Sequence, residues 1–348
     1  MSDEFRDGTW SLDAGGRRVF GIKVSMPGPI RYTCVYALPT AVGFYLVDSG
    51  SDDDQAWTDL CSGLDSVGLG IKDCRGVLLT HGHSDHHGLS ARVREASGAW
   101  LAMHPKDAEL VTTRHYRGRA WAYVVNSRLQ EAGAPSDVAE IWWDARATRG
   151  ELAQPDQLLE PGTSIGVPGW DLQVIQTPGH TPGHVCLFSS KARLLFSGDH
   201  VLPSIAGRIG FPEAVAGADP VDQMVSSLRC VAALPVDRVL PGHESPFTGL
   251  SARCDTLVQR HSRMVSRVVS AVRSLGTATA WQVAIALGSL GDSVTLARPV
   301  TGSSLLGVLA YLHNAANHGT LRMWQRDGVS IFEAITDRSA NTPRVVAI

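Results

Sequence analysis

Residues 81–87 read His81-Gly82-His83-Ser84-Asp85-His86-His87, four imidazoles and one carboxylate in seven positions. Imidazole nitrogens and carboxylate oxygens are the donors that hold divalent metal ions of the zinc and iron class. A loop that merely faces water needs no such density of them. Further residues of the same kind follow far along the chain. His184 closes Thr177-Pro178-Gly179-His180-Thr181-Pro182-Gly183-His184, Asp199 lies in Gly198-Asp199-His200, and His243 in Pro241-Gly242-His243-Glu244. Each alone reads most simply as a turn residue or a satisfied polar group. Together with the opening loop they have the stoichiometry of a metal centre.

The elements that must position them are legible from apolar patterning. Gly76-Val77-Leu78-Leu79 is a run suited to a buried strand that ends where the His loop begins. Strands are expected at 19–24, 32–38 and 43–48, the last ending on Asp48-Ser49-Gly50. Asp48 is a turn former there, and could also orient a ligand. Trp57, Leu60, Cys61, Leu64 and Val67 recur at helical spacing behind Ser51 or Asp52 as cap. Strands at 170–175, 185–189, 193–197 and 238–240 deliver His184, Asp199 and His243 in Gly-containing turns, where the backbone can bend to aim a side chain. Residues of about 105–150 change character and read as a helical insertion carrying Trp121, Tyr123, Trp142 and Trp143. Those aromatics either pin the insertion to the body or line an apolar substrate mouth.

The 348 residues are 44% hydrophobic and 19% charged, the balance of a globular protein of more than one domain. A net charge of −3 argues against a whole-molecule polyanion binder. The charge is uneven, about +5 from Ser251 onward and about −8 before it. No apolar run approaches the ~20 residues of a membrane span. The acidic start Met1-Ser2-Asp3-Glu4 is unlike a secretory signal, and six scattered Cys without a close pair read as buried thiols. The expected compartment is the cytoplasm.

The order HxHxDH, then GH, then Asp after a strand, then a final GH resembles the metallo-β-lactamase superfamily. The resemblance implies an α+β fold, an αββα sandwich of two sheets face to face with helices outside. Carried over, it makes His81, His83 and His184 ligands of one metal, Asp85, His86 and His243 ligands of a second, and Asp199 the bridge. It implies two divalent ions, with Zn²⁺ expected and Fe or Mn as substitutes. His180 would then support the loop. His87 and His200 stand outside the ligand pattern, where they could back a ligand or reach substrate. Asp199 with His86 is similar to the glyoxalase II pattern of thioesterases and lactonases rather than to the best-known β-lactamases. His83 sets the chain apart from the oxygen-reducing diiron branch, and a full second site from the persulfide dioxygenases.

Beyond Ser251, helices at 252–275, 280–287 and 303–317 precede a hairpin about Asp327-Gly328. This resembles a winged-helix domain, giving domains 1–250 and 251–348. The third helix contains no Arg or Lys, so a groove-reading role is disfavoured. Arg253, Arg260, Arg263, Arg267 and Arg273 on the first helix form either a solvated face or an anion-binding rim. Packing, homodimerisation or closing of a pocket is expected of this domain.

The expected activity is a dinuclear metal-dependent hydrolase whose metal-bridging hydroxide attacks the acyl carbonyl of a thioester, ester or lactone, with Asp85 helping to hold and deprotonate the water. The substrate would be a small acyl compound, including one linked to coenzyme A or a carrier. The alternative is an endoribonuclease acting on single-stranded RNA.

Overall fold

A computed structural model of the chain describes residues 8–28, 30–116, 118–135, 153–210, 217–289 and 302–335. Two sheets form the larger unit. The first has seven strands in sequence order: β1 (Thr9–Ala14), β2 (Arg17–Ser25), β3 (Tyr32–Thr40), β4 (Gly43–Val47), β5 (Cys74–Leu78), β6 (Trp100–Met103) and β7 (Gln157–Leu158). β1 to β4 are an antiparallel meander, and β4 to β7 run parallel. The second sheet has the order β11-β10-β9-β8, from β8 (Leu172–Gln176), β9 (Val185–Ser189), β10 (Leu194–Gly198) and β11 (Arg238–Pro241), with β10 and β11 parallel.

Period-two alternation explains the layers. Tyr36 and Leu38 of β3, Tyr45 and Val47 of β4 and Leu78 of β5 face a core shared with Leu187, Phe196 and Leu240 of the second sheet. Their neighbours Val35, Ala37, Phe44, Leu46 and Val77 face the other way, onto helices. Those helices are α1 (Asp54–Ser66), with Ala56, Leu60 and Leu64, and α3 (Ser90–Ser97), with Val93; Val111 of α4 (Pro105–Tyr116) joins them. The short α2 (Ser84–His87) belongs to the His loop. Tyr36 joins the two sheets. Its ring stands edge-on to Trp10 and Phe196, and its hydroxyl donates to the Pro241 carbonyl at 2.5 Å. Each such fully buried side chain contributes roughly 1.5–3 kcal/mol. The cap of α1 is Asp53, which accepts from the Ala56 amide at 2.8 Å, rather than Ser51 or Asp52.

Two compact units divide the chain as 1–125 with 143–261, and 126–142 with 262–348. The division differs from the expected boundary at 250. It falls inside α5 (Gly118–Glu131) and α7 (Leu250–Leu275), so the insertion is shared between units. α6 (Pro220–Ala232) lies in the first, capped by Asp219 and burying Met224, Leu228 and Val231. The second unit contains β12 (Thr277–Thr279), α8 (Ala280–Ser289), α9 (Gly302–Asn317), β13 (Leu321–Arg326) and β14 (Val329–Ala334), with sheet order β12-β14-β13. Thr279 and Gln282 cap α8 reciprocally, each side chain accepting from the other's amide. Glu131 at the end of α5 accepts from His313 at 2.9 Å, Ser330 at 3.1 Å and Arg128 at 2.8 Å.

The expected helical insertion lies outside the described residues from 136 to 152, as do Trp142, Trp143 and the Trp121 side chain; Tyr123 is 75% exposed. All six thiols are free; Cys34, Cys74, Cys186 and Cys254 are buried as expected, Cys61 is half-buried and Cys230 exposed. Among the described residues no helix is long and apolar enough to cross a membrane.

Candidate metal centre

The ligand-type residues follow strand ends along one edge of the two sheets. Asp48 follows β4 and His81 follows β5, a parallel pair; Asp199 follows β10 and His243 follows β11, the other parallel pair. Open sheets bind ligands outside the carboxyl ends of such strands, where loops leave the core. Backbone bonds join the edge. The Gly242 amide donates to the Gly198 carbonyl at 2.8 Å, and the Cys34 amide to the Gly242 carbonyl at 2.7 Å. A Cβ at Gly242 would lie 2.6 Å from the His86 ring and 2.9 Å from Asp199 Oδ1, so only glycine lets this turn approach.

One set of nitrogens converges from three imidazoles. His83 Nδ1 lies 3.0 Å from His81 Nε2 and 2.9 Å from His180 Nε2. The partners of the opposite nitrogens fix the tautomers. His180 Nδ1 faces the Arg208 carbonyl at 2.9 Å, which can only accept, so the proton sits on Nδ1 and the Nε2 lone pair points inward. Thr80 spends its hydroxyl proton on the Asp48 carboxylate at 2.9 Å, leaving its oxygen to accept from His81 Nδ1 at 3.1 Å. With His83 Nδ1 unprotonated as a metal ligand requires, three lone pairs meet at distances where they repel unless a cation lies among them. A tetrahedral centre with Zn–N bonds of ~2.0–2.1 Å spaces its ligands about 3.3 Å apart, close to what these nitrogens show. Burial, and after it the neighbouring imidazoles, hold His81 well below its ordinary pKa, so it stays a neutral donor.

The second set mixes carboxylates and imidazoles. Asp85 Oδ2 lies 3.3 Å from His243 Nε2 and 3.6 Å from His86 Nε2. His86 Nδ1 is held by Asp48 Oδ2 at 2.8 Å and His243 Nδ1 by the Tyr32 carbonyl at 2.9 Å, so both Nε2 atoms face the centre. Asp48 also accepts from the Thr80 amide at 2.8 Å, and its φ of 61° is a left-handed value that Asp tolerates better than most residues. Burial opposes charge at His86, but the carboxylates of Asp199, Asp85 and Asp48 raise it to about 10. Against burial, Asp199 and Asp85 likewise raise His243 to about 12. The reciprocal pull of His243 and His86 holds Asp199 well below the carboxylate range in spite of its burial.

Asp199 stands between the sets. Its Oδ1 lies 3.3 Å from His243 Nε2 and 3.4 Å from His86 Nε2, and its Oδ2 lies 3.4 Å from His180 Nε2. Buried His86 Nε2 and Asp199 Oδ1 make no hydrogen bond. Such orphaned polar atoms are costly unless something fills the space between them, and a cation fits that donor set.

Two residues stand otherwise than expected, and two lie outside both sets. His184 does not join the first set. Its Nε2 accepts from the Asp199 amide at 3.2 Å and its Nδ1 donates to Thr177 Oγ1 at 2.8 Å, so no lone pair is left. His180, expected to be a loop support, takes the place beside His81 and His83. His87 turns to Ser90 Oγ at 2.6 Å, and burial pushes it down to about 4. His200 lies against His184, ring centroids 5.9 Å apart, and is no member of either set. The Thr80 hydroxyl and the Tyr32 and Arg208 carbonyls were not anticipated, because outer partners of this kind carry no spacing signal. For His180 the His180-x-x-x-His184 pair was the available signal, and it was ambiguous.

Residues 42–243 match the family described as the metallo-beta-lactamase superfamily. The chain is 28% identical over 207 residues to an acyl-coenzyme A thioesterase of Bos taurus, covering 58% of this chain and 64% of that one. It is 24% identical over 208 residues to a hydroxyacylglutathione hydrolase of Haemophilus influenzae, covering 58% and 81%. A metallo-beta-lactamase family protein from Thermus thermophilus shares the fold, with a TM-score of 0.79 at 22% identity over 91% of this chain and 98% of that one. The protein is thus a member of the metallo-β-lactamase superfamily, with the hydrolase-type fold and the His/Asp clusters of a metal site.

Proposed function

We propose that the protein is a dinuclear metal-dependent hydrolase acting on the acyl carbonyl of thioesters, with esters and lactones as related substrates. The observation that carries this reading is Asp199, one carboxylate with an oxygen toward each ligand set. His81, His83 and His180 would hold one ion, and Asp85, His86 and His243 the other. When bound, the two ions, Zn²⁺ by preference for imidazole and carboxylate donors, would supply an activated water at neutral pH and polarise the carbonyl. Asp85 has the more exposed of the two site carboxylates, 22% against 12% for Asp199, and would help to hold and deprotonate the attacking water. Water adds to the acyl carbon, the carbon–sulfur bond breaks, and acid and thiol leave.

A thioester on an anionic carrier is supported by Arg208. Its carbonyl fixes His180, and its exposed side chain is close enough for its charge to bear on that ring. The expected anion rim on α7 does not include Arg253, whose guanidinium is spent on the carbonyls of Leu202 at 2.7 Å and Ile205 at 2.6 Å.

The RNA alternative needs a free basic element. In α9, the helix of the winged-helix-like order that would enter a groove, Leu305, Leu306, Val308, Leu309, Tyr311 and Leu312 are all buried. That favours the acyl reading. Metal analysis with a panel of acyl-CoA thioesters, lactones, phosphodiesters and RNA tests it. Two ions per chain and thioester turnover are expected, abolished by chelation and by Asp199→Ala. Turnover by a metal-stripped Asp199→Ala protein, or salt-sensitive RNA cleavage as the dominant activity, would overturn it.

A further inference from the structure

Asp107 is buried in the first turn of α4 and belongs to neither ligand set. Its two oxygens collect three donors from two loops. The Gly82 amide donates to Oδ2 at 2.8 Å, the Thr181 hydroxyl to Oδ2 at 2.6 Å, and the Gly183 amide to Oδ1 at 2.6 Å. Gly82 sits between His81 and His83, and Thr181 directly follows His180. One side chain therefore grips both loops that supply the first nitrogen set, although His83 and His180 are 97 residues apart.

The packing repeats the relationship. A Cβ on Gly183 would stand 2.6 Å from both the Asp107 amide and Oδ1. A Cβ on Gly82 would meet Val111 at 3.0 Å, and the Asp107 carbonyl at 3.4 Å. Both loops thus rest with a glycine against the same turn of α4. That turn is itself well set, with Pro105 at its first position and the Lys106 amide capped by His104 Nδ1 at 3.2 Å. Two amides and a hydroxyl need an acceptor-only group with lone pairs in several directions, which a carboxylate provides and an amide does not.

We infer that Asp107 is the positioning residue of the first metal site, setting the separation of His83 from His180 and hence that site's affinity. It acts through the backbone of both loops. The inference rests on His180 being a ligand. Outer partners of metal ligands typically account for about 10- to 100-fold in metal affinity.

The test is Zn²⁺ titration of the full chain, reading stoichiometry and affinity beside thermal unfolding of the metal-free form. Asp107→Asn keeps the shape but turns an NH₂ toward donors. It is expected to weaken one of two Zn²⁺ equivalents by about 10- to 100-fold, leaving the other near wild type. Thr181→Val removes one arm and should give a smaller loss at the same equivalent, which decides the matter if Asp107→Asn does not fold. Wild-type affinity for both equivalents in the folded Asp107→Asn protein, or in Thr181→Val where Asp107→Asn does not fold, overturns the inference. A His180→Ala protein that still binds two equivalents overturns the ligand reading instead, so the two failures are distinguishable.

Discussion

The Nε2 of His180 lies 2.9 Å from the Nδ1 of His83, while His184 four residues on has its acceptor nitrogen occupied by the Asp199 amide. The two histidines of the Gly179–His184 turn therefore have different tasks. His180→Ala should lose one metal equivalent and about 10²-fold or more in turnover, since a ligand set reduced to two imidazoles no longer holds its ion. His184→Ala should keep both equivalents at reduced affinity and unfold more easily, by roughly 1–3 kcal/mol, because it leaves the buried Asp199 amide without the imidazole that accepts from it. Metal analysis and thermal unfolding of the pair check this.

Metal binding should release protons. His86 at about 10 and His243 at about 12 are both charged at pH 7 in the metal-free protein, held so by Asp199 and Asp85 against burial. A cation at their Nε2 atoms must displace those protons, so affinity at the second set rises with pH and falls as pH drops. Calorimetric titration with Zn²⁺ in buffers of different ionisation enthalpy should show about two protons released per chain at pH 7. No buffer dependence would contradict the charge assignment.

Arg208 should matter to binding more than to chemistry. Its carbonyl serves His180 whatever the side chain, so Arg208→Ala leaves that bond in place. The expected result is a KM for acyl-CoA raised about 5- to 50-fold, with kcat within about threefold, as for loss of one charge-assisted contact. An uncharged thioester should show no such difference.

The second unit should carry its own acid sensitivity. Burial raises Glu131, but His313 and Arg128 outweigh it and bring its pKa from 4.5 down to about 2. A depressed carboxylate stabilises the fold above its unfolded pKa, and this is lost as pH falls from about 4.5 toward 2. Glu131→Gln should therefore lower stability at pH 7 by on the order of 2 kcal/mol, with the difference vanishing near pH 2. Urea unfolding of chelator-treated proteins across that range measures it.

Much of the centre was legible because its first part is local. His81, His83, Asp85 and His86 lie within six residues after an apolar strand, and their crowding alone announces a metal. Asp199 and His243 were legible because each follows a short apolar run and sits beside glycine. The division of the insertion was not, since α5 is one continuous helix in sequence, and its end is tied to the second unit by distant residues, Glu131 to His313 and Ser330 and the Ala132 carbonyl to the Trp281 amide. His87 stands outside both sets, as expected. It adjoins His86, but on the single turn of α2 neighbouring side chains diverge, and its ring goes to Ser90.

By itself the sequence determined the donor types, their order and the strands that end beside them. These follow from side-chain chemistry and from periodicities of two and 3.6 that any short window carries. Only the tertiary structure decided whether His180 or His184 faces the first set. Both lie in an irregular turn, where no periodicity assigns a direction. The direction is set instead by Gly179, with φ of 129° and no room for a Cβ against the backbone of Met224, and by the Asp199 amide that occupies His184. Those constraints come from residues far away in the chain, brought to one sheet edge by the fold.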